Sequence, residues 1–573
     1  MERRVLVAIV LSFLVLYSYQ TFFIKPSPKP AAAKTGQASA AAAPAAAASA
    51  PAESATAVDS ADVVLGENME REIRVETAQV IALFTNRGAR LKSWRLKQYL
   101  DQNHEPLELI ANDLPSAILP FTLTVDDEGI TRSIGSALYA VTGAPSAGPI
   151  SSTARLTFEF RNDAGLQVVK TIALEPAGYQ VALSATVTSS GRTLPATVAW
   201  GPALGDHESG TGRYAVKARG LIISDKAQRF AAADVAKLAV HKGEFNFAGV
   251  DDHYFVTMAL NPGASTVNYE HLSIPPPAGS KEPARELMAY SVRPDAGGTL
   301  KFYVGPKDFE QLKAIDETKD FKGTLTRAID FGMFDVVVVP LLRALNWLNG
   351  YIGNYGWAII FLTILINGAM FPLRHKSVVS MRKMQDLQPE VKSIQDRYAK
   401  FKSSDPEKQK MNQELMALYR ERGVNPASGC IPMLLTFPVL FAFYALLSTA
   451  IELRGAPFMG WIHDLSMPDP YYVTPVLMGL SQIWQTRITP QAGADPAQQK
   501  MMMFMPVIFM FFFLWAPAGV ALYWFVSNIW GIGQTYFTNY MIGPPNVRTV
   551  RPAAERRVKR VGASKTEAAS REN

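Results

Sequence analysis

The sequence has a single cysteine and lacks the metal-ligand spacings and catalytic motifs on which many enzymes depend. Its single cysteine, Cys430, excludes a disulfide within the chain, and its place at the head of an apolar run is typical of a small buried residue. The five histidines of residues 61–320 lack metal-ligand spacing, and no glycine-rich phosphate loop or nucleophile elbow occurs there. The one local polar cluster, Asp251-Asp252-His253, adjoins an ordinary strand pattern. We therefore predict no metal, no cofactor and no enzymatic activity.

Charged residues are also missing from the middle of the long apolar runs in the C-terminal half. Transporters coupled to ions or protons usually keep an ionisable group there, and we find neither one nor an inverted repeat. An intramembrane protease would need a nucleophile with a His or Asp partner, and neither pairing is present. A transporter or channel subunit therefore remains only an alternative. What these runs do contain is uncharged polar or helix-breaking residues: Thr363, Asn367, Pro432, Thr436, Pro438, Ser481, Gln482, Ser527, Asn528 and Gln534.

The chain begins and ends with segments of biased composition. Residues 1–24 combine a basic start with an apolar stretch longer than the roughly 7–15 residues of a signal peptide, which favours an uncleaved transmembrane anchor. The Ala-rich sequence that follows offers small-residue cleavage sites, so a cleaved signal is the alternative. Residues 25–60 are rich in Ala and Pro and predict a linker. Residues 542–573 hold eight Lys or Arg against three Asp or Glu, which predicts a cytoplasmic tail.

Residues 61–320 have β character. Alternating runs at Glu72–Thr77, Arg155–Phe160 and Tyr179–Val187 are separated by turn sequences such as residues 162–165. No apolar run in this region is long enough to span a membrane. We predict a soluble, sandwich-like β domain on the far side of the membrane, acting as a binding or spacer module.

The C-terminal half predicts a membrane core over residues 354–541. An amphipathic helix over residues 331–349 precedes it and is expected to lie along the membrane surface. Loop charges place both chain termini in the cytoplasm. The five predicted spans are residues 356–373, 430–450, 471–488, 501–515 and 519–541.

A helical hairpin is predicted between the first two spans, over residues 374–425. A capping box at residues 404–407 begins its second helix, which Gly423 ends. Twelve Lys or Arg against seven Asp or Glu favour the cytoplasm. The first helix carries an apolar seam with heptad spacing: Met384, Leu387, Val391, Ile394, Tyr398 and Phe401.

Polar residues share one face of the first core span. Thr363 and Asn367 stand four residues apart, and polar groups at membrane depth usually face protein or a water-filled cavity. Hydrogen bonding to a neighbouring helix is the alternative explanation. Arg374 follows Asn367 by seven residues, about 10 Å along a helix, and can snorkel toward the cytoplasmic mouth.

Motifs across residues 331–541 resemble the YidC/Oxa/Alb family of membrane-protein insertases, in its Gram-negative form with a large periplasmic domain. They are Asn425–Pro432, Phe458–Ser466, Asp469–Tyr472, Met505–Phe509, Phe513–Gly519 and Leu522–Asn528. The resemblance implies a bacterial inner-membrane protein with a multi-span helical core, a cytoplasmic helical hairpin and a periplasmic β-supersandwich. It also implies a hydrophilic groove that is closed on the periplasmic side. This groove receives the polar segment that flanks the transmembrane span of a client, the membrane protein being inserted.

The resemblance assigns client-groove roles to five residues, and the helix-face argument adds Arg374. The five are Thr363, Asn367, Thr436, Tyr523 and Trp524. Relatives carry a basic residue where this chain has Asn367, and often Tyr where it has Trp524. The implied partners are nascent membrane proteins, the lipid bilayer, and the ribosome through the basic tail and cytoplasmic loops, with no specific nucleic-acid sequence. Action alone or beside a Sec-type translocon is left open.

Overall fold

The computed structural model describes residues 63–543 with internal gaps. The predicted anchor (1–24) and linker (25–60), and the tail from residue 544 onward, lie outside the described residues. The chain forms two compact units: residues up to Gly332 together with Thr449–Gly455, and Met333–Ser448 together with residues from Ala456. The gaps are residues 102, 112–117, 203–217, 225, 275–284, 296, 319–324, 402–404, 425–430 and 490–495, and the side chains of residues 274, 285, 333, 431–437, 496–502 and 542 are also not described.

The first unit is mostly antiparallel β-sheet, which agrees with the predicted fold class. Its strands are β1 (Val63–Leu65), β2 (Glu72–Glu76), β3 (Val80–Thr85), β4 (Arg90–Leu100), β5 (Pro106–Glu108), β6 (Thr122–Thr124), β7 (Ala140–Thr142), β8 (Ala154–Asn162), β9 (Leu166–Leu174), β10 (Gln180–Ser189), β11 (Arg192–Leu194), β12 (Thr197–Trp200), β13 (Arg219–Ile223), β14 (Ala227–Phe230), β15 (Val240–Asp251), β16 (Phe255–Ile274), β17 (Arg285–Pro294) and β18 (Thr299–Pro306).

These strands form a 14-stranded and a 4-stranded sheet. The larger follows the order β1-β8-β9-β10-β18-β16-β15-β13-β14 with β6, β7, β11, β12 and β17 attached beside it, and the smaller follows β2-β3-β4-β5. Buried Trp94 in β4 donates its indole N–H to the carbonyl oxygen of Val304 in β18, 3.1 Å away, so the two sheets contact each other. The supersandwich class of this unit stays a prediction.

The β8-β9-β10 meander follows from alternation and turn chemistry. Val181 pairs with Leu174 and Leu156 pairs with Ile172, and all four side chains are buried. Gly165 joins β8 to β9 with φ +76°, a left-handed conformation that favours glycine. This unit also contains three short α-helices, α1 (Glu128–Ser136), α2 (Ala232–Val235) and α3 (Phe309–Asp316), and 3-10 helices at Leu325–Ala328 and Ile451–Leu453.

The second unit is helical. One of its described helices, Tyr355–Asp386, is long and apolar enough to cross a membrane, while Pro438–Thr449 and Met503–Phe513 are shorter apolar stretches. Each predicted span overlaps a helix, and the count of five spans stays a prediction. The helices are α4 (Asp335–Ile352), α5 (Tyr355–Asp386), α6 (Gln388–Arg397), α7 (Pro406–Glu421), α8 (Ile431–Thr449), α9 (Val473–Ile488), α10 (Pro496–Phe513) and α11 (Ala518–Ile542).

Helix α4 corresponds to the predicted amphipathic helix. Leu342 and Leu345 are buried, as the predicted apolar side requires, whereas the Trp347 side chain is exposed. Pro340 lies within the helix, which ends at Gly353 with φ +72°. Its place along a membrane surface stays a prediction.

The predicted hairpin corresponds to the end of α5 with α6 and α7. Helix α5 ends just before Leu387, and α6 begins just after it with Pro389 in its first turn. The proline therefore lies at a boundary between two helices and does not kink a single one. Asp405 caps α7 by accepting a hydrogen bond from the Glu407 backbone N–H, and Ser404 lies outside the described residues. Gly423 follows α7 with φ +63°, as predicted.

Candidate functional site

The predicted groove residues of α5 lie where this helix packs against α11. Asn354 starts α5 by accepting a hydrogen bond from the Trp357 backbone N–H at 3.1 Å. Thr363 and Asn367 are buried on the face toward α11, and the Thr363 hydroxyl donates to the Ile359 carbonyl oxygen at 2.6 Å. The four-residue spacing therefore places both polar side chains inside the helical unit instead of on its surface.

A chain of hydrogen bonds runs from Arg374 through Asn367 to α11. The guanidinium of Arg374 donates through Nη1 to Asn367 Oδ1 at 2.6 Å. Asn367 Nδ2 in turn donates to the Thr363 carbonyl oxygen at 2.8 Å and lies 3.4 Å from Ser527 Oγ. Arg374 thus reaches back along α5 toward Asn367, whereas snorkelling toward the mouth was the expectation.

The two predicted residues of α11 face different neighbours. Tyr523 is buried and stacks on Phe443 of α8, with ring centroids 4.1 Å apart. Trp524 donates its indole N–H to Gln482 Oε1 of α9 at 2.9 Å. Adjacent helix residues point about 100° apart, so the two side chains contact different helices. The side chain of Thr436 lies outside the described residues.

The α5–α11 contact contains further polar pairs that the sequence analysis did not assign. Gln534 Nε2 donates to the Phe371 carbonyl oxygen at 3.4 Å, and His375 Nδ1 lies 3.2 Å from Thr538 Oγ1. Arg382 donates to Asn539 Oδ1 at 3.2 Å. The signal was available, because Ser527, Gln534 and Thr538 recur at intervals of seven and four residues and so share a face of α11.

A second polar contact joins α9 to α11. Asn528 Nδ2 donates to the Met478 carbonyl oxygen at 3.1 Å and to Ser481 Oγ at 3.0 Å, and these groups are buried. Together with the Trp524–Gln482 bond, these interactions link α9 to α11. Helix α11 therefore separates two polar contacts, and Arg374 belongs to the one with α5.

The loop over residues 456–472 packs against the N-terminal ends of α5 and α11. Asn354 donates to the carbonyl oxygens of Pro457 and Phe458, both at 3.1 Å. The Gly519 backbone N–H donates to the Leu465 carbonyl oxygen at 2.9 Å. These bonds hold the loop across the helix ends that lie opposite Arg374.

Asp469 orders the last turn of this loop. Its carboxylate accepts hydrogen bonds from the backbone N–H groups of Tyr471 (3.0 Å) and Thr474 (2.7 Å) and from the Trp461 indole at 2.9 Å. Burial raises the pKa of Asp469, but these hydrogen bonds outweigh it and leave the pKa below its ordinary value. The carboxylate is therefore charged at neutral pH and fixes the start of α9.

Among the described residues, no group of three or more His, Cys, Asp or Glu side chains is placed to hold a metal ion. The described part of the site offers hydrogen-bonding groups and the guanidinium groups of Arg374 and Arg382 inside an apolar helical unit. Such an arrangement can bind polar or acidic groups through hydrogen bonds and charge.

Comparison with known proteins covers both units. The model for the YidC periplasmic domain matches residues 72–344, and the model for the 60Kd inner membrane protein matches residues 347–544. Proteins named membrane protein insertase YidC from Syntrophus aciditrophicus and Geobacter metallireducens are 34% and 33% identical to this chain. The alignments cover 94% and 95% of this chain and 99% of each relative.

A crystal structure of an active YidC insertase with its first transmembrane domain resolved is 20% identical to this chain. It covers 84% of this chain and 95% of its own, with a TM-score of 0.35. The family model and the relatives are named for an inner membrane protein and for membrane protein insertases, and they give no support to a transporter or channel subunit. This chain belongs to the YidC family of membrane protein insertases.

Proposed function

We propose that this chain receives nascent membrane proteins at the α5–α11 contact and releases their apolar segments sideways into the bilayer. The observation that carries the proposal is the 2.6 Å hydrogen bond from Arg374 to Asn367. It brings a guanidinium toward the middle of a helix whose residues from Gly356 to Leu373 contain no charge. A client flank with acidic or polar groups would find a charged donor there.

The energetics favour such a site. Moving one charged side chain to the bilayer centre costs about 2.5–3.5 kcal/mol on insertion scales. A hydrated groove lined by hydrogen-bonding groups shortens the apolar path and lowers that barrier, while burial of the client's own span supplies roughly 25 cal/mol per Å². The process therefore needs no nucleotide.

Asn367 would position Arg374 in this scheme. The resemblance implies a basic residue at the position of Asn367, whereas this chain has Arg374 seven residues later. The side-chain oxygen Oδ1 of Asn367 accepts a hydrogen bond from the Arg374 guanidinium. The side-chain nitrogen Nδ2 of Asn367 donates to the backbone carbonyl oxygen of Thr363. We infer that the pair supplies at position 367 the charge that relatives provide with one residue.

A charge-position series tests this proposal. Asn367→Leu and Arg374→Ala should each slow insertion of single-span clients with acidic flanks about tenfold, because a hydrogen bond to a charged group contributes about 1.5–3 kcal/mol. The double variant Asn367→Arg/Arg374→Ala should restore insertion by moving the base to position 367. Leu365→Ala, at an exposed position of the same helix, is the matched control. Protease protection of the client at equal expression measures each rate.

The series also separates the groove from simple helix packing. If Asn367 only packs against a neighbouring helix, the Asn367→Leu variant should insert every client as fast as the parent, or should slow insertion of all clients equally whatever the charge of their flanks. Either outcome would remove Asn367 from the groove. Loss of activity in the double variant, with normal thermal stability, would show that Arg374 is needed at its own position.

We further propose that both termini and residues 374–425 are cytoplasmic and that the β-rich unit is periplasmic. The support is the excess of Lys and Arg in residues 374–425 and in the tail. Single cysteines replacing the exposed residues Thr193 and Ser393, in a Cys430→Ala background, should react with impermeant thiol reagents from opposite sides of the membrane. Labelling from the same side would contradict this topology.

The ribosome is proposed as a partner of the basic tail and cytoplasmic loops. Contacts of Lys and Arg with RNA phosphates weaken steeply as salt increases. A chain truncated after Gly543 should therefore co-sediment with ribosomes less than the full chain at low salt, and the difference should shrink at high salt. Equal co-sedimentation at every salt concentration would exclude the tail.

A further inference from the structure

The Asp251-Asp252-His253 cluster, which the groove does not use, lies at a tight turn between β15 and β16. Asp252 Oδ1 accepts hydrogen bonds from the backbone N–H groups of Tyr254 at 2.9 Å and Phe255 at 2.7 Å. These bonds fix the turn and direct the two aromatic rings. The Asp251 side chain, by contrast, points into the unit and is fully buried.

Asp251 binds two cations that come from separate elements. Arg219 of β13 lies 3.0 Å from its carboxylate, and buried Lys307, just after β18, lies 3.3 Å from it. Lys307 also donates to the Asp252 carbonyl oxygen at 2.6 Å. Burial lowers the pKa of Lys307, and the charges of Asp251 and Asp252 oppose that shift. We call Arg219, Asp251, Asp252 and Lys307 the junction.

One side of the junction reaches the segment by which the chain leaves the first unit. Arg219 Nη1 lies 3.8 Å from the Asp330 carboxylate, and Arg229 Nη1 lies 3.7 Å from it. Arg229 also donates to the carbonyl oxygens of Arg327 and Ala328, at 2.9 and 3.2 Å. The segment is packed as well as bonded, because Ala328 is completely buried.

The other side reaches the segment by which the chain passes through the first unit again. In Thr449–Gly455, the side chains of Ile451 and Leu453 are buried. The Arg454 guanidinium lies 5.9 Å from the centroid of the Tyr254 ring and 5.3 Å from that of Phe255. Cations at such distances from aromatic rings are attracted by the ring quadrupole. The turn that Asp252 fixes is therefore a binding surface for this segment.

We propose that the junction ties residues 325–332 to residues 449–455, so that the β-rich unit acts as a brace and not only as a spacer. The first segment leads directly into α4 and the second follows directly from α8. The first is attached by ion pairs of Asp330 with Arg219 and Arg229, and the second by Arg454 over the rings of the turn that Asp252 fixes. The brace holds the two segments at a fixed separation whether or not a client is bound.

Hydrogen exchange of the full-length protein in lipid nanodiscs tests the brace without using insertion activity. Asp251→Asn removes the shared carboxylate, so exchange should accelerate in residues 325–332 and 449–455 together, on the order of tenfold or more, because a buried cation loses its partner. Arg293→Ala, which breaks the Arg293–Asp126 pair (2.7 Å) elsewhere in the same unit, is the control and should change neither segment. Acceleration confined to peptides around Arg219 and Lys307 would overturn the proposal.

A milder variant covers the case in which Asp251→Asn does not fold. Arg454→Ala removes the cation over the two rings, and we expect faster exchange in residues 449–455, in the turn at residues 252–255, and in residues 325–332. Arg454→Lys, which keeps the charge but loses the planar group, should give a smaller change. If Arg454→Ala affects residues 449–455 alone, the two segments are independent and there is no brace.

Discussion

At the scale of single residues, the N-terminal end of α5 depends on the absence of a side chain at position 356. A Cβ atom on Gly356 would lie 2.0 Å from Cδ2 of Phe458. The Phe458 ring also packs edge-on against Trp357, with centroids 5.7 Å apart. A glycine is required here for close packing and not for an unusual backbone conformation.

Gly356→Ala should therefore destabilise the protein by about 1–3 kcal/mol, because the Phe458 ring must move out of its place. Thermal unfolding in detergent measures the change. Gly533→Ala in α11 is the control, since a Cβ atom there meets nothing within 4 Å and alanine favours a helix. Equal unfolding temperatures for the two variants would contradict the packing described for Phe458.

Residue-level roles followed from the sequence only where helix periodicity decides them. Thr363 and Asn367 share one face of α5 because they are four residues apart, and the sequence shows this spacing directly. The hydrogen bond from Arg374 to Asn367 and the nearness of Ser527 depend on which helix packs against α5, and spacing within one segment carries no such information. Trp524 and Tyr523 point in different directions because they are adjacent on a helix. That Trp524 meets Gln482 depends on how α9 packs against α11.

At the scale of elements, the hairpin shows a short apolar core closed by ion pairs. Arg397 pairs with Glu414 at 2.8 Å and Arg422 with Glu390 at 3.0 Å, so α6 and α7 run in opposite directions. These exposed pairs contribute little free energy, and the buried apolar side chains must supply most of the stability. The core consists of Met384, Leu387, Val391, Tyr419 and Val424, with Leu415 and Leu418 packed against it.

Val391→Asp should open the hairpin, because a carboxylate would be buried without a partner at a cost of about 3 kcal/mol or more. Limited proteolysis should then cut within residues 374–425 while the rest of the second unit resists. Lys392→Asp places the same side chain at the adjacent exposed position and should leave the cleavage rate nearly unchanged. Equal protection of both variants would argue against the apolar core.

The heptad spacing predicted the first part of this core and not the last. Met384, Leu387, Val391 and Ile394 are buried, whereas Phe401 is 39% exposed. Helix α6 ends at Arg397, so the heptad spacing no longer predicts which side chains share a face beyond that residue. Tyr419 comes from α7 and Val424 from the segment that follows it, and the position of the turn between α6 and α7 decides which of these residues face the seam.

At the scale of the whole molecule, the family was predictable because its motifs lie in the C-terminal half in a fixed order. The β character of residues 61–320 also followed from alternation. What the sequence did not indicate is that Thr449–Gly455 belongs to the β-rich unit. That assignment arises from contacts between residues about 200 positions apart, such as Arg454 with Tyr254.

The central claim is that a client's charged flank lies beside Asn367 and Arg374 on α5. Photo-cross-linking of a ribosome-stalled, single-span client with an acidic flank tests it most directly. A probe at Met370, three residues after Asn367 and four before Arg374, shares their helix face, and a probe at Leu365 lies on an exposed face of the same helix. We predict that the flank cross-links to the probe at position 370 and not to the probe at 365. Cross-links of the flank at position 365 alone, or at neither position, would contradict the account.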